Sequence, residues 1–188
     1  MEIYFCTGNK HKLKEYKNIL EATGIKVKRI SAKITEIQAN KLEDVAKEKV
    51  KIAFEKVRKP LFVEDAGLFI EALNGFPGVY SAYVLKTIGN QGILKLLNGI
   101  KNRNAYFKAV IAFVDENQKI HLFKGRCKGK IAYNIRGNLG FGFDPIFIPE
   151  GYNKTFAQDS ELKNEVSHRK KAIEKFVNFL KRKYLIKS

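Results

Sequence analysis

At 188 residues and 45% hydrophobic content the chain can bury a full core, as one domain with two closely packed lobes, and no run approaches the ~18 apolar residues of a membrane helix. The 36 Lys and Arg against 19 Asp and Glu leave a formal net charge of +17. These cations run through every segment without a zinc-finger spacing or an RNP-type motif, which argues against a nucleic-acid partner and for a solvated surface that steers small polyanions.

The apolar run Ile3-Tyr4-Phe5-Cys6, followed by helix-period Leu13, Tyr16, Ile19 and Leu20, predicts a strand, a turn and a helix. Lys26 to Ser31 is expected as a second strand. Leu42 to Lys56 is expected as a helix with Val45, Val50, Ala53 and Phe54 inward. Pro60 to Val63 starts a third strand that is expected to end in Glu64-Asp65-Ala66-Gly67. The Gly-Pro-rich passage Leu73 to Gly78 precedes a helix from Asn90 to Asn98. Ala105 to Val114 and Lys119 to Gly125, joined by Asp115-Glu116-Asn117-Gln118, form a predicted hairpin, and a last helix covers about Arg169 to Tyr184. The expected architecture is mixed α/β, with a long central sheet flanked by helices and a cleft between the lobes. Cys6 and Cys127 are too few for a disulfide framework and are expected as small buried residues. The first residues lack the pattern of a secretory leader, so a cytoplasmic protein with no membrane partner is expected.

The turn Thr7-Gly8-Asn9-Lys10-His11-Lys12 joins helix-start amides to two lysines, a combination that binds phosphate. The alternative is a strand leading into a solvated basic helix. Three histidines, and no Cys-His or Ser-His-Asp set, leave carboxylates and cations to carry any chemistry. Glu64 and Asp65 would face opposite sides of a persisting strand, and Glu36 precedes a helix. One or two such carboxylates plus substrate phosphates are the donor pattern of a Mg²⁺ site, although a plain turn and an exposed loop acid fit the same spacing. In Gly140-Phe141-Gly142-Phe143-Asp144-Pro145 the flanking glycines let an aromatic ring stand clear of its backbone and offer a face to a planar base.

These segments occur together with Gly75-Phe76-Pro77-Gly78-Val79-Tyr80-Ser81-Ala82 and Lys163-Asn164-Glu165-Val166-Ser167-His168-Arg169, in one order. In that order the chain resembles the inosine triphosphate pyrophosphatase (Ham1-like) family, from Ile3 to about Ala172. The resemblance implies hydrolysis of ITP, XTP and deoxy-ITP to the monophosphate and pyrophosphate, with Mg²⁺, by a homodimer built on an elongated mixed sheet. It also implies that Thr7, Gly8, Asn9, Lys10, His11, Lys12 and Lys49 hold the triphosphate, that Glu36 and Asp65 bind the metal, and that Asp65 is the general base. Ala66, Phe141, Gly142, Phe143, Asp144, Lys163, His168 and Arg169 match nucleoside-binding positions. Three departures stand out: Ala66 replaces a common serine, Val45 a common asparagine and Tyr83 a common arginine. Two alternatives remain open at this point: a pyrimidine or modified-nucleotide pyrophosphatase of the similar Maf-like fold, and a basic nucleic-acid-binding protein.

Overall fold

The computed structural model describes residues 1–32, 34 and 37–185. Its six strands are β1 (Glu2–Cys6), β2 (Lys26–Ile30), β3 (Leu61–Ile70), β4 (Asn104–Val114), β5 (Ile120–Ile131) and β6 (Phe147–Pro149), in the sheet order β2-β1-β3-β4-β5-β6. Its helices are α1 (Lys10–Glu21), α2 (Leu42–Val57), α3 (Ser81–Thr87), α4 (Gly89–Leu96), α5 (Ser160–Val166) and α6 (His168–Leu180). The chain forms two compact units: 1–65, 109–125 and 170–188 in the first, 66–108 and 126–169 in the second.

In the first unit β1 pairs in parallel with β2 and with β3, so β1-α1-β2 and β2-α2-β3 are both crossover connections. The first crossover moves outward from β1 and the second returns past it, so right-handed connections put α1 and α2 on opposite faces. Packing agrees for the α1 face. Phe5 and Phe62, partners in the β1/β3 register, stack at 4.4 Å, and Tyr16 of α1 lies 4.6 Å from Phe5. Phe176 of α6 joins the same cluster, 5.1 Å from Phe62 and 5.5 Å from Phe113. Tyr16, Leu20, Phe62 and Phe176 are fully buried, and Tyr16 and Leu20 belong to the apolar period read in the first helix. Ala46, Val50 and Ala53 supply the buried side of α2.

In the second unit a core of Leu68, Ile70, Val84, Ile93, Phe107, Phe143, Ile146, Phe147 and Phe156 packs the short helices on the strands. β5 pairs antiparallel with β6, Ile131 opposite Phe147.

Several boundaries differ from expectation. β3 does not end at Gly67 but runs on to Ile70, because Leu68 and Ile70 continue its buried positions and the small Ala66-Gly67 pair makes room for a neighbouring segment. A Cβ at Gly67 would stand 2.2 Å from the Gly78 carbonyl oxygen. Between Gly78 and Asn90 the chain forms an additional helix, α3, tied to β3 by Ser81, whose hydroxyl accepts from the Leu68 amide at 2.8 Å and donates to the Gly78 carbonyl at 2.7 Å. β5 continues past Gly125 to Ile131, and α5 and β6 are further elements. No described helix is long and apolar enough to cross a membrane. Cys6 and Cys127 are buried thiols.

The hairpin turn at 115–119 is organised by Asp115, which accepts from the Asn117 and Lys119 amides at 3.0 and 2.9 Å and from His121 at 2.8 Å, and pairs with Lys183. Burial pushes its carboxyl up, but the bonds from Lys183, His121 and the two amides outweigh that and hold it well below its ordinary 3.8. A folded-state value below the unfolded one stabilises the protein above the unfolded pKa and is lost as pH falls. Asp115→Asn should therefore lower Tm most near neutral pH, and in thermal melts across pH the gap from wild type should begin to narrow only below about pH 4 and go on narrowing as pH falls towards the depressed folded-state value.

Candidate active site

The predicted phosphate turn lies where β1 leaves the sheet beside β3, with the first two connections running to opposite sides of β1. Open α/β sheets of this order bind ligands at that switch point. Thr7 is fixed at both ends of its peptide: its amide donates to Ile30 O at 3.2 Å and its carbonyl accepts from Arg29 Nε at 3.0 Å. Asn9 is the helix cap, its Oδ1 accepting from the His11 and Lys12 amides at 2.9 and 3.0 Å, and Thr7 Oγ1 accepts from the Asn9 amide at 3.1 Å. Thr7 and Asn9 thus act here as acceptors that shape the turn. Two helix-start amides are engaged by the cap, so the cations become the larger part of any phosphate grip. A Cβ at Gly8 would meet no atom within 4 Å, so the protein leaves clearance there, between Thr7 and the lysine-bearing first turn.

Just beyond the parallel ladder, β3 carries Glu64 and Asp65. Lys12 Nζ stands 2.7 Å from Glu64 Oε2 and donates to the Glu64 carbonyl at 3.2 Å. Lys49 Nζ of α2 donates to Asp65 Oδ1 at 3.1 Å. Successive strand residues face opposite sides, so each acid meets a lysine from a different helix. Asp65 is 9% exposed and Glu64 only 3%, which makes Asp65 the more accessible carboxylate. Lys10 and His11 continue the first turn of α1. Glu36 lies outside the described residues, and among the described residues no group of three or more His, Cys, Asp or Glu forms a metal cage.

The second unit gathers another set. Asp144 Oδ2 accepts from the Phe141 amide at 2.8 Å and from Lys163 Nζ at 2.7 Å. Lys163 Nζ lies 4.4 Å from the Phe141 ring centre and the Arg169 guanidinium 5.5 Å, both at cation–π range. His168 stacks on Phe107 with ring centres 4.6 Å apart. Gly140 and Gly142 have φ of +72° and +70°, and a Cβ on Gly140 would strike Asp144 Oδ2 at 2.3 Å, so glycine at 140 is required by both torsion and space. Phe143 is buried in the core and anchors the loop, while Phe141 is half-buried. Ala66 lies on β3 in this unit. Of the departing positions, Val45 is buried in the core and Tyr83 is 69% exposed.

Two residues that hold this set escaped sequence reading. Ser81 braces β3 from the Pro-Gly-x-Tyr-Ser-Ala block, and Asn90 Nδ2 donates to the Gly142 carbonyl at 3.1 Å. Only the density of special residues in the first block pointed to Ser81.

Removing one member of a buried ion pair leaves the other charge uncompensated. With the Glu64 side chain fully buried and that of Lys12 at 18% exposure, Lys12→Ala should destabilise the fold by about 3 kcal/mol. Combining Lys12→Met with Glu64→Gln should recover most of that loss, as read from urea unfolding midpoints.

Comparison with known proteins covers nearly the whole chain. The model of the Ham1 family matches residues 3–179. A dITP/XTP pyrophosphatase of Thermococcus kodakarensis is 53% identical over 182 residues, 96% of this chain and 98% of that protein, and the protein of the same name from Pyrococcus horikoshii is 50% identical over 182 residues, covering 96% and 97%. The solved structure of the Staphylococcus aureus Ham1 protein superposes with a TM-score of 0.83 at 30% identity, covering 97% of this chain and 100% of that one. A Coxiella burnetii HAM1 protein gives a TM-score of 0.84 at 31% identity, covering 97% and 99%. The paired acids of β3, the capped turn of α1 and the Gly140–Asp144 loop all fall inside the matched span, and the chain belongs to the Ham1 family.

Proposed function

We propose that this chain hydrolyses the α–β phosphoanhydride of non-standard purine nucleoside triphosphates, ITP, XTP and dITP, releasing the nucleoside monophosphate and pyrophosphate, and that it does so as a homodimer in the cytoplasm. The observation that carries this reading is the pair of adjacent acids on β3, each held by a lysine beside a capped helix start. The dITP/XTP pyrophosphatases that it resembles support the reaction class.

A triphosphate repels an incoming water, so catalysis needs counter-charge and positioning before it needs a base. The turn from Thr7 to Lys12, with Lys10, Lys12 and Lys49, supplies that counter-charge. Lys12 and Lys49 are held by Glu64 and Asp65 and can share their remaining donor hydrogens with phosphate oxygens. Asp65 accepts the proton of the attacking water. Its carboxylate is held through Oδ1 by Lys49, which orients it.

The donor set fits a divalent ion: Asp65 offers a hard carboxylate oxygen at the more accessible of the two acids, and Mg²⁺ is usually held by one or two carboxylates plus substrate phosphates. Glu36 and Asp65 would hold it, and when bound it neutralises charge developing on the phosphates. Phe141 takes a face of the base, and Lys163, His168 and Arg169 present donors to its 6-oxygen. ATP offers an amine donor at that position, leaving those donors unmatched.

Pyrophosphate release over a panel of ITP, XTP, dITP, GTP, ATP and UTP with Mg²⁺ tests the assignment. Hydrolysis favouring UTP, or none alongside salt-sensitive nucleic-acid binding, would overturn it. Asp65→Asn is nearly isosteric and should lower kcat by about 10²-fold or more while nucleotide binding stays measurable; a loss within about tenfold would remove Asp65 as the base. Arg169→Ala should lower kcat/KM for ITP far more than for ATP, and retention of the full ITP preference would exclude Arg169 from base selection.

A further inference from the structure

Phe141 is flanked by two glycines in the left-handed region, and such a hinge has many accessible conformations. Besides the Asp144 amide, which donates to the Phe141 carbonyl at 3.3 Å, three contacts restrain it. On the amino side the Phe141 amide is taken by Asp144 Oδ2, which is itself locked by Lys163. On the carboxyl side the Gly142 carbonyl is taken by Asn90 Nδ2 at 3.1 Å, from the first turn of α4 and 52 residues away in sequence. The third is Phe143, seated in the core next to the hinge.

Asn90 has an energetic oddity. Only its amide nitrogen can donate to the carbonyl, so its orientation is set, and its Oδ1 is then buried with no hydrogen-bond partner among the described residues. A buried acceptor without a partner lowers stability, so a residue kept only to stabilise α4 would not need the amide. What the amide secures is the Gly142–Phe143 peptide, the carboxyl side of the hinge on which the direction of the Phe141 ring depends.

We propose that Asn90 is a positioning residue for nucleoside recognition, which pre-sets the Phe141 ring by holding the Gly142 carbonyl. This rests on the reading of Phe141 as the base platform. A platform ordered before binding does not lose conformational freedom on binding, so the gain falls on the nucleoside and not on the phosphates.

The experiment is a cycle of Asn90→Ala, Phe141→Ala and the double variant, read as KM and kcat for ITP and as the inhibition constant of inorganic tripolyphosphate. Asn90→Ala should raise KM for ITP about fivefold, the worth of one hydrogen bond, with kcat and tripolyphosphate inhibition unchanged and Tm within about 2 °C of wild type. The double variant should lose no more ITP affinity than Phe141→Ala alone, because Asn90 acts through the ring. The chain contains no tryptophan, so Phe141→Trp adds a single fluorescent reporter. In that background Asn90→Ala should red-shift emission and weaken quenching by ITP.

Normal ITP binding by Asn90→Ala, with Phe141→Ala impaired, would overturn the role of Asn90 and leave the platform standing. Full additivity of the two losses, or an equal loss of ITP and tripolyphosphate with a lowered Tm, would likewise reduce Asn90 to a structural residue. If Phe141→Ala itself binds ITP normally, the platform reading falls, and the role of Asn90 falls with it.

Discussion

Two carboxylates on consecutive residues of a buried strand impose a constraint on everything around them. Successive strand positions face opposite sides, so Glu64 and Asp65 cannot share one counter-ion, and each needs a cation delivered to its own face. The β2-β1-β3 order meets the need: right-handed crossovers put α1 on one face and α2 on the other, and each brings one lysine to the strand. Lys12 sits in the first turn of α1, directly after the cap. The arrangement that neutralises Glu64 therefore also holds the Thr7–Lys12 turn against β3. Buried ion pairs contribute little net stability compared with apolar packing, and apolar residues at 64 and 65 would hold these helices at least as well. Four ionisable groups retained there fit the chemistry proposed above.

The second unit applies the same economy around a single acid. Asp144 fixes Lys163 through one oxygen and, through that same oxygen, the backbone of Phe141. Gly140 is glycine because the carboxylate occupies the space where its side chain would stand. The aromatic ring and Lys163 are thereby referred to one point, and a change at Asp144 would displace both together.

Much of this was legible in the sequence, and the illegible parts share one cause. The β1 turn, α1, α2 and the 115–119 hairpin carry local signals: periodicity, a capping Asn9, and an aspartate that accepts the amides two and four residues on. Glu64-Asp65-Ala66-Gly67 has a turn composition, and so the strand was expected to end there. What keeps it extended is tertiary: lysines 52 and 16 residues away, and the approach of Gly78 to Gly67. α3 and α5 are too short for their period to emerge, and the three residues of β6 carry no pattern at all. Asn90 and Ser81 contribute long-range hydrogen bonds, for which sequence spacing offers no template.

On the assignment proposed above, the division between phosphate-binding and base-binding residues also determines where selectivity can arise. Lysines at the α1 turn attract every triphosphate alike, and uniform binding of that kind adds affinity without discrimination. Discrimination needs a group whose mismatch is penalised, and the penalty depends on burial. A donor on the surface turns to water when the base offers no acceptor, so the wrong base loses little. Lys163, His168 and Arg169 are 4%, 3% and 2% exposed, and a base that leaves such donors mismatched cannot be rescued by solvent. Burial of the donor set, more than the number of its hydrogen bonds, is therefore the physical basis on which a 6-oxo purine can be separated from adenine at a site that grips their phosphates equally.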